Sequence, residues 1–166
     1  MKHALSILLI LMLFGAVKAQ TKTAGQNIDV QAKLTRGLTM NIIGSNATLD
    51  FGTLTLPISS APTIDPAGQG DVQLQIVGDN NAPVTLTFPS SVTLTNGAAN
   101  LTFTPNIEGN PSKSGNPGAV TNKIDLGPDG FYYLWVGGAL PASIPTTQAT
   151  GQYSGQFEIT VAQVGS

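Results

Sequence analysis

Apolar residues recur at every second position through most of this chain. Ile28, Val30, Ala32 and Leu34 alternate with polar neighbours, and after Arg36-Gly37 the set Leu38, Met40 and Ile42 resumes on the same parity. A two-residue period predicts strands with one buried face, because successive side chains on a strand point to opposite sides. Gly37 falls where a bulge or bend would let a long edge strand change sheets. Further strands are predicted at LDFGTLTL (49–56), at DVQLQIVG (71–78), where Val72, Leu74 and Ile76 share a face, and at APVTLTF (82–88), carried by Val84, Leu86 and Phe88. The turn-forming GDNN (78–81) separates the last two. SVTLTNGAANLTFTP (91–105) reads as two short strands around Asn96-Gly97, the strongest hairpin signal in the chain. FYYLWVGG (131–138) and YSGQFEITV (153–161) are the most hydrophobic strands, and two irregular loops are expected, Pro57–Gly70 and Asn106–Lys123.

No window holds ten residues of helical periodicity, and eleven prolines with nineteen glycines punctuate the chain. Seven to nine short antiparallel strands with turn signals between them predict an all-β fold, an immunoglobulin-like β-sandwich. Phe157, Ile159 and Val161 are expected to close its core, with Glu158 on the opposite parity facing solvent, and Tyr153 with Gly155 to make the corner before that strand. Trp135, in mid-strand, is expected in the core. The run Phe131–Trp135 has two readings: a strand buried on both faces, or one whose outer face presents Tyr132 or Tyr133 to sugars.

The first residues change the picture of where the chain works. Met1-Lys2-His3 is followed by ALSILLILMLFGAV, fourteen apolar residues, and then Lys18-Ala19. A charged start, an apolar stretch too short to span a bilayer and a small-residue cleavage site predict a secretory signal peptide over residues 1–19. Residues 20–166 are then expected to form a single domain, exported to the periplasm, the cell surface or the medium, with no membrane span after cleavage. About 150 residues suffice for one core without disulfides, burying about 68–70% of the unfolded surface.

Cleavage there removes His3, the only histidine, and the chain has no cysteine. Serine and cysteine triads, histidine-ligated metals and thiol redox centres all need residues the exported chain would lack, so the expectation is a protein that is not an enzyme and carries no cofactor. Five bases against nine acids leave that chain at net −4, without the clustered Lys and Arg that nucleic acid requires. Charged residues are only 10% of the total, which leaves a weakly self-repelling surface compatible with assembly. Turn acids Asp79, Asp125 and Asp129 are the calcium candidates, although their spacing matches no calcium loop and such residues commonly bond their own backbone. No pair of carboxylates can be nominated for glycoside hydrolysis. GNPSKSGNPG (109–118) lacks the order of a phosphate loop and reads as a surface loop.

Taken together, LDFGTLTL, VQLQIVGDNNAPVTLTFPSSVTLTNG, YLWVGGAL and ATGQYSGQFEITV resemble a family of secreted bacterial proteins known as domain of unknown function four-four-zero-two. The Leu-x-Phe-Gly start and the Gly-x-Tyr-Ser-Gly-x-Phe-x-Ile-Thr-Val ending are also similar to spore-coat-U-like subunits of archaic chaperone-usher pili. Those subunits commonly carry a disulfide, absent here. The resemblance implies an immunoglobulin-like sandwich used in surface fibres or cell adhesion, whose partners are copies of itself, other surface subunits and a periplasmic chaperone. In such fibres a neighbour's N-terminal extension completes a sandwich that lacks a strand. Residues 20–34, with Ile28, Val30, Ala32 and Leu34 as alternate knobs, are the candidate extension, or else the first strand of their own domain. The leading expectation is a non-enzymatic structural or adhesive surface protein; the alternative is a monomeric secreted carbohydrate- or ligand-binding module.

Overall fold

A computed structural model describes residues 36–45, 47–66 and 72–164. The expected signal peptide (1–19) and the candidate extension (20–34) lie outside the described residues. Ten strands are present, β1 (Thr39–Ile42), β2 (Thr63–Ile64), β3 (Val72–Val77), β4 (Pro83–Thr87), β5 (Val92–Asn96), β6 (Ala99–Asn110), β7 (Gly118–Ala119), β8 (Lys123–Asp125), β9 (Phe131–Ala139) and β10 (Thr160–Gln163). No helix occurs among the described residues. Every ladder is antiparallel. The larger sheet runs β1-β3-β9-β6-β5, with β2 added to β9 and β7 to β6, and the smaller runs β10-β4-β8. This is the expected all-β sandwich, with two more short pieces, β2 and β7, inside the stretches expected to be loops, and a third, β8, beginning at the end of the second.

The alternating positions become the space between the sheets. Val72, Leu74 and Ile76 of β3, Val84 and Leu86 of β4, Ile107 of β6, Ile124 and Leu126 at β8, and Leu134 and Val136 of β9 form one buried cluster. Its centre is Ile76, Leu86, Leu134, Val84 and Val136, all nearly inaccessible; side chains of this size contribute about 1.5–3 kcal/mol each when fully buried. A second cluster, Val92, Phe103 and Leu140, lies under the β5–β6 hairpin. Phe103 meets Phe51 edge-on (5.9 Å, 72°) and Phe157 at a tilt (6.0 Å).

The hairpin forms where Asn96-Gly97 predicts it. Asn96 pairs with Ala99, so Gly97-Ala98 is the two-residue connection, and Gly97 at φ +60° stands first in it, as a type II′ turn requires. Beyond the hairpin, β6 runs on to Asn110, which corrects the expected loop from Asn106. Pro105 interrupts nothing, because β5 pairs only as far as Phe103 and the pairing with β7 starts only at Glu108, leaving one edge of β6 free of a ladder between them.

Three further expectations are corrected. LDFGTLTL joins no ladder: Leu49 and Phe51 pack on the core, but Gly52 turns the chain at φ +66°, and Leu54 is exposed beyond it. Ile42 keeps the parity of Leu38 and Met40 yet is 55% exposed, because it lies at the end of an edge strand, past which the chain leaves the ladder with Ile43 and Gly44 both donating to the Gln73 carbonyl. For Trp135 only the place differs: it is buried, as expected, at 8% exposed, but on the outer face of β9 in line with Tyr133 rather than in either cluster.

Candidate functional site

The C-terminal segment runs antiparallel to two strands in turn. Thr160–Gln163 pairs with β4 of the smaller sheet, and Ser154 exchanges two backbone hydrogen bonds with Thr95 of β5 (2.9 and 3.1 Å). The connection Phe88–Ser91 carries two more residues than the segment opposite, which absorbs the shift as the chain passes from one sheet to the other. The last strand therefore stitches the two sheets together along one flank. Phe157, Ile159 and Val161 all pack on the core and Glu158 is exposed, as their parity requires.

Tyr153 makes the corner. Its hydroxyl donates to the Ala149 carbonyl (2.8 Å) and accepts from Gln148 Nε2 (2.6 Å), while the same amide reaches the Asn100 carbonyl (3.0 Å). Gly155 is needed beyond it, since a Cβ there would lie 2.8 Å from both the Leu94 side chain and the Thr93 carbonyl.

This flank is less covered than the centre of the sandwich. Leu38, Met40, Leu49, Phe157, Ile159 and Val161 all touch the main cluster but stay only half-buried. Two stretches border it, Leu49–Leu56, which turns at Gly52, and Gly155–Glu158. Neither makes a backbone–backbone hydrogen bond to another described residue. Leu49 and Phe157 pack against both clusters, so both stretches serve one continuous core. Side chains are thus supplied to the interior from segments whose peptide groups have no ladder among the described residues. The pattern LDFGTLTL contained Leu49 and Phe51, but their pairing state had no signal in the sequence.

The acids nominated for calcium fall elsewhere. Arg36 Nη1 donates to the carbonyls of Gly78 (3.4 Å) and Asp129 (3.1 Å), and its backbone N–H donates to Asp79 Oδ1. Asp129 Oδ1 accepts from the Phe131 amide (3.2 Å). The Asp79 and Asp129 carboxylates each accept from a backbone N–H, as turn acids commonly do, while the guanidinium binds main-chain carbonyls and ties residue 36 to a turn 93 positions away. No sequence pattern links those residues. Asp125 is exposed in β8, opposite Pro83. Among the described residues no three acids, histidines or cysteines group as metal ligands.

Along β9 the two faces differ. Tyr132, Leu134 and Val136 point into the core, and partial burial raises the Tyr132 phenol above its usual value near 10. Phe131, Tyr133 and Trp135 form a file on the other face, with ring centroids 6.4 Å apart at each step. Phe131 and Tyr133 are half-buried, and Trp135 is 8% exposed. The expected strand buried on both faces is therefore closed on one and partly open on the other.

No curated protein matches the chain. The family model described as Domain of unknown function (DUF4402) matches residues 40–162, from Met40 in β1 to Ala162 in β10, and so takes in both sheets and the stitching segment. The chain belongs to that family.

Proposed function

We propose that the chain is an exported, non-enzymatic structural or adhesive surface protein, assembled by strand addition along the half-covered flank beside β10. The single observation that carries this reading is the pairing state of that flank: Leu49–Leu56 and Gly155–Glu158 feed the core without a ladder among the described residues. The guest is residues 20–34 of a neighbouring copy, or the equivalent segment of another surface subunit. Ile28, Val30, Ala32 and Leu34 would enter as alternate knobs beside Phe157, Ile159 and Val161. The Leu-x-Phe-Gly start and the Gly-x-Tyr-Ser-Gly-x-Phe ending, read from the sequence as resembling spore-coat-U-like pilins, point to the same assembly. A half-covered flank of this kind is an aggregation hazard in transit, which accounts for a periplasmic chaperone as a second partner. Export rests on the signal-like residues 1–19, and the non-enzymatic reading on an exported chain with neither histidine nor cysteine.

Peptide complementation tests the guest strand. A chain of residues 35–166 retains Arg36 and its bonds to the Gly78–Asp129 end. Adding a peptide of residues 20–34 is expected to give one-to-one binding, a raised urea midpoint and slower amide exchange at residues 157–161. A truncated chain that ignores the peptide would remove the basis of the proposal. A second reading, a secreted ligand-binding module, is favoured by the outer-face placement of Phe131 and Tyr133, and is compatible with the first in a fibre-borne adhesin.

A further inference from the structure

The outer face of the larger sheet combines aromatic rings with neutral hydrogen-bonding groups. Register places Val77 beside Phe131, Gln75 beside Tyr133 and Gln73 beside Trp135 on the β3 side. On the β6 side, Asn110 lies beside Tyr133 and Glu108 beside Trp135. Directly paired residues share a face of an antiparallel sheet, so a file of three rings runs between two rows rich in carboxamides. Gln75 Nε2 donates to the Tyr133 hydroxyl (3.1 Å), which fixes the phenol within its row. Asn41 of β1, opposite Gln75, extends the amide surface outward.

At Tyr133 the file opens into a depression of about 510 Å³, bounded by the loop Pro111–Ser114 and the turn Pro128–Asp129. The loop is closed by its own bonds. Asn110 Oδ1 accepts from the Ser112 amide (2.8 Å), and Asn110 Nδ2 donates to the Asn116 carbonyl (2.8 Å). Gly115 N–H returns to the Ser112 carbonyl (3.0 Å), and the hydroxyls of Ser112 and Ser114 lie 3.2 Å apart. A loop held in this way loses little freedom on binding.

Each feature narrows the ligand. The π faces of Phe131 and Tyr133 favour the weakly positive C–H face of a saturated ring. The flanking amides and serine hydroxyls can both donate and accept, which matches a ligand rich in hydroxyl groups better than an aliphatic surface. Lys113 is the only base and Asp129 the only acid among the residues lining the depression, so a polyanion finds no cluster of positive charge. Trp135, covered to 92%, as its 8% exposure implies, is the floor beneath the file and takes no part in stacking.

We infer that this face is a binding site for a neutral glycan, stacked on Phe131 and Tyr133 and hydrogen-bonded by Gln75, Ser112 and Lys113. The inference rests on the ligand-binding reading and is independent of strand exchange, since these rings point away from the core.

Isothermal titration of the secreted chain, residues 20–166, tests it with cello-, xylo- and mannohexaose, and with oligogalacturonate as the anionic comparison. Saturable binding of at least one neutral hexaose is expected, weakened at least tenfold by Tyr133→Leu, which keeps apolar bulk but removes the π face. Gln75→Ala should weaken it less, and Tyr132→Phe, on the core side, should leave it unchanged. Urea midpoints of the variants separate lost binding from lost folding, and Phe131→Leu gives a second reading of the file should Tyr133→Leu unfold. Neutral-glycan binding that survives both Leu variants in folded protein overturns the site while keeping a ligand-binding module. Selective binding of oligogalacturonate overturns the ligand class, and no binding of any probe overturns both the site and the reading beneath it.

Discussion

Leu134 and Ile159 are both apolar strand residues on the correct parity, yet one is sealed between the sheets and the other sits on the half-covered flank. Leu134→Ala is expected to cost about 2–5 kcal/mol, the range for a large side chain removed from a close-packed interior. Ile159→Ala should cost clearly less in the isolated chain, and more once a guest strand has covered it; urea denaturation of both variants checks the order. Gly109 is a site where addition is the harm, because a Cβ would lie 2.5 Å from the Tyr132 ring and 2.7 Å from Val120. Gly109→Ala should therefore destabilise by about 1–3 kcal/mol through overpacking. Tyr132 also links folding to alkaline pH. Its phenol is raised by burial above the usual value near 10, so the unfolded chain releases that proton first as pH rises. The associated stability is fully present below about pH 10 and is lost as pH climbs through the folded value. Tyr132→Phe should flatten that alkaline decline in a stability-against-pH series, and an unchanged decline would assign it to another group.

The elements that were legible in advance are those where period, length and punctuation agree. DVQLQIVG and APVTLTF became β3 and β4 with Val72, Leu74, Ile76, Val84 and Leu86 buried and Phe88, just past β4, half-buried, because both strands lie mid-sheet and one face of each meets the opposite layer. LDFGTLTL has the same alternation and no ladder: period reports which side chains face inward, whereas pairing depends on what lies alongside. The same distinction explains β6, which runs on past Pro105 through Gly109, a residue of the expected loop, because neighbouring chains leave the one position free and crowd the other. Of the site, Phe157, Ile159, Val161 and Tyr153 could be read from parity and turn chemistry. The file of Phe131, Tyr133 and Trp135 could not be placed, because a run of consecutive apolar residues does not say which face is open. Pairing alternation in β10 gives a test at this scale. Val164 donates to the Pro83 carbonyl (3.2 Å), so in the same ladder Ala162 bonds toward β4 while the Gln163 N–H faces the free edge. Ala162→Pro should lose about 1–3 kcal/mol by orphaning a carbonyl of β4, and Gln163→Pro should stay within about 0.5 kcal/mol of the parent; equal losses would mean the register is wrong.

At the scale of the molecule, a seven-stranded sheet faces a three-stranded one, and one C-terminal segment joins them along a flank that is covered only in part. A chain with 10% charged residues offers little repulsion between copies, so assembly should depend weakly on salt and strongly on the guest strand. The rings of Phe131 and Tyr133 point away from that core, which leaves their face available in a polymer as in a monomer. The central claim is that the flank is completed by a neighbour, and the most direct test is the solution mass and negative-stain appearance of residues 20–166 beside residues 35–166. Filaments or a mass ladder from the longer chain, reduced to monomers by the truncation and not restored by Tyr133→Leu or prevented by it, are the predicted result. A longer chain that stays monomeric at every concentration, and loses stability when residues 20–34 are removed, would place that segment inside its own sandwich and contradict the account.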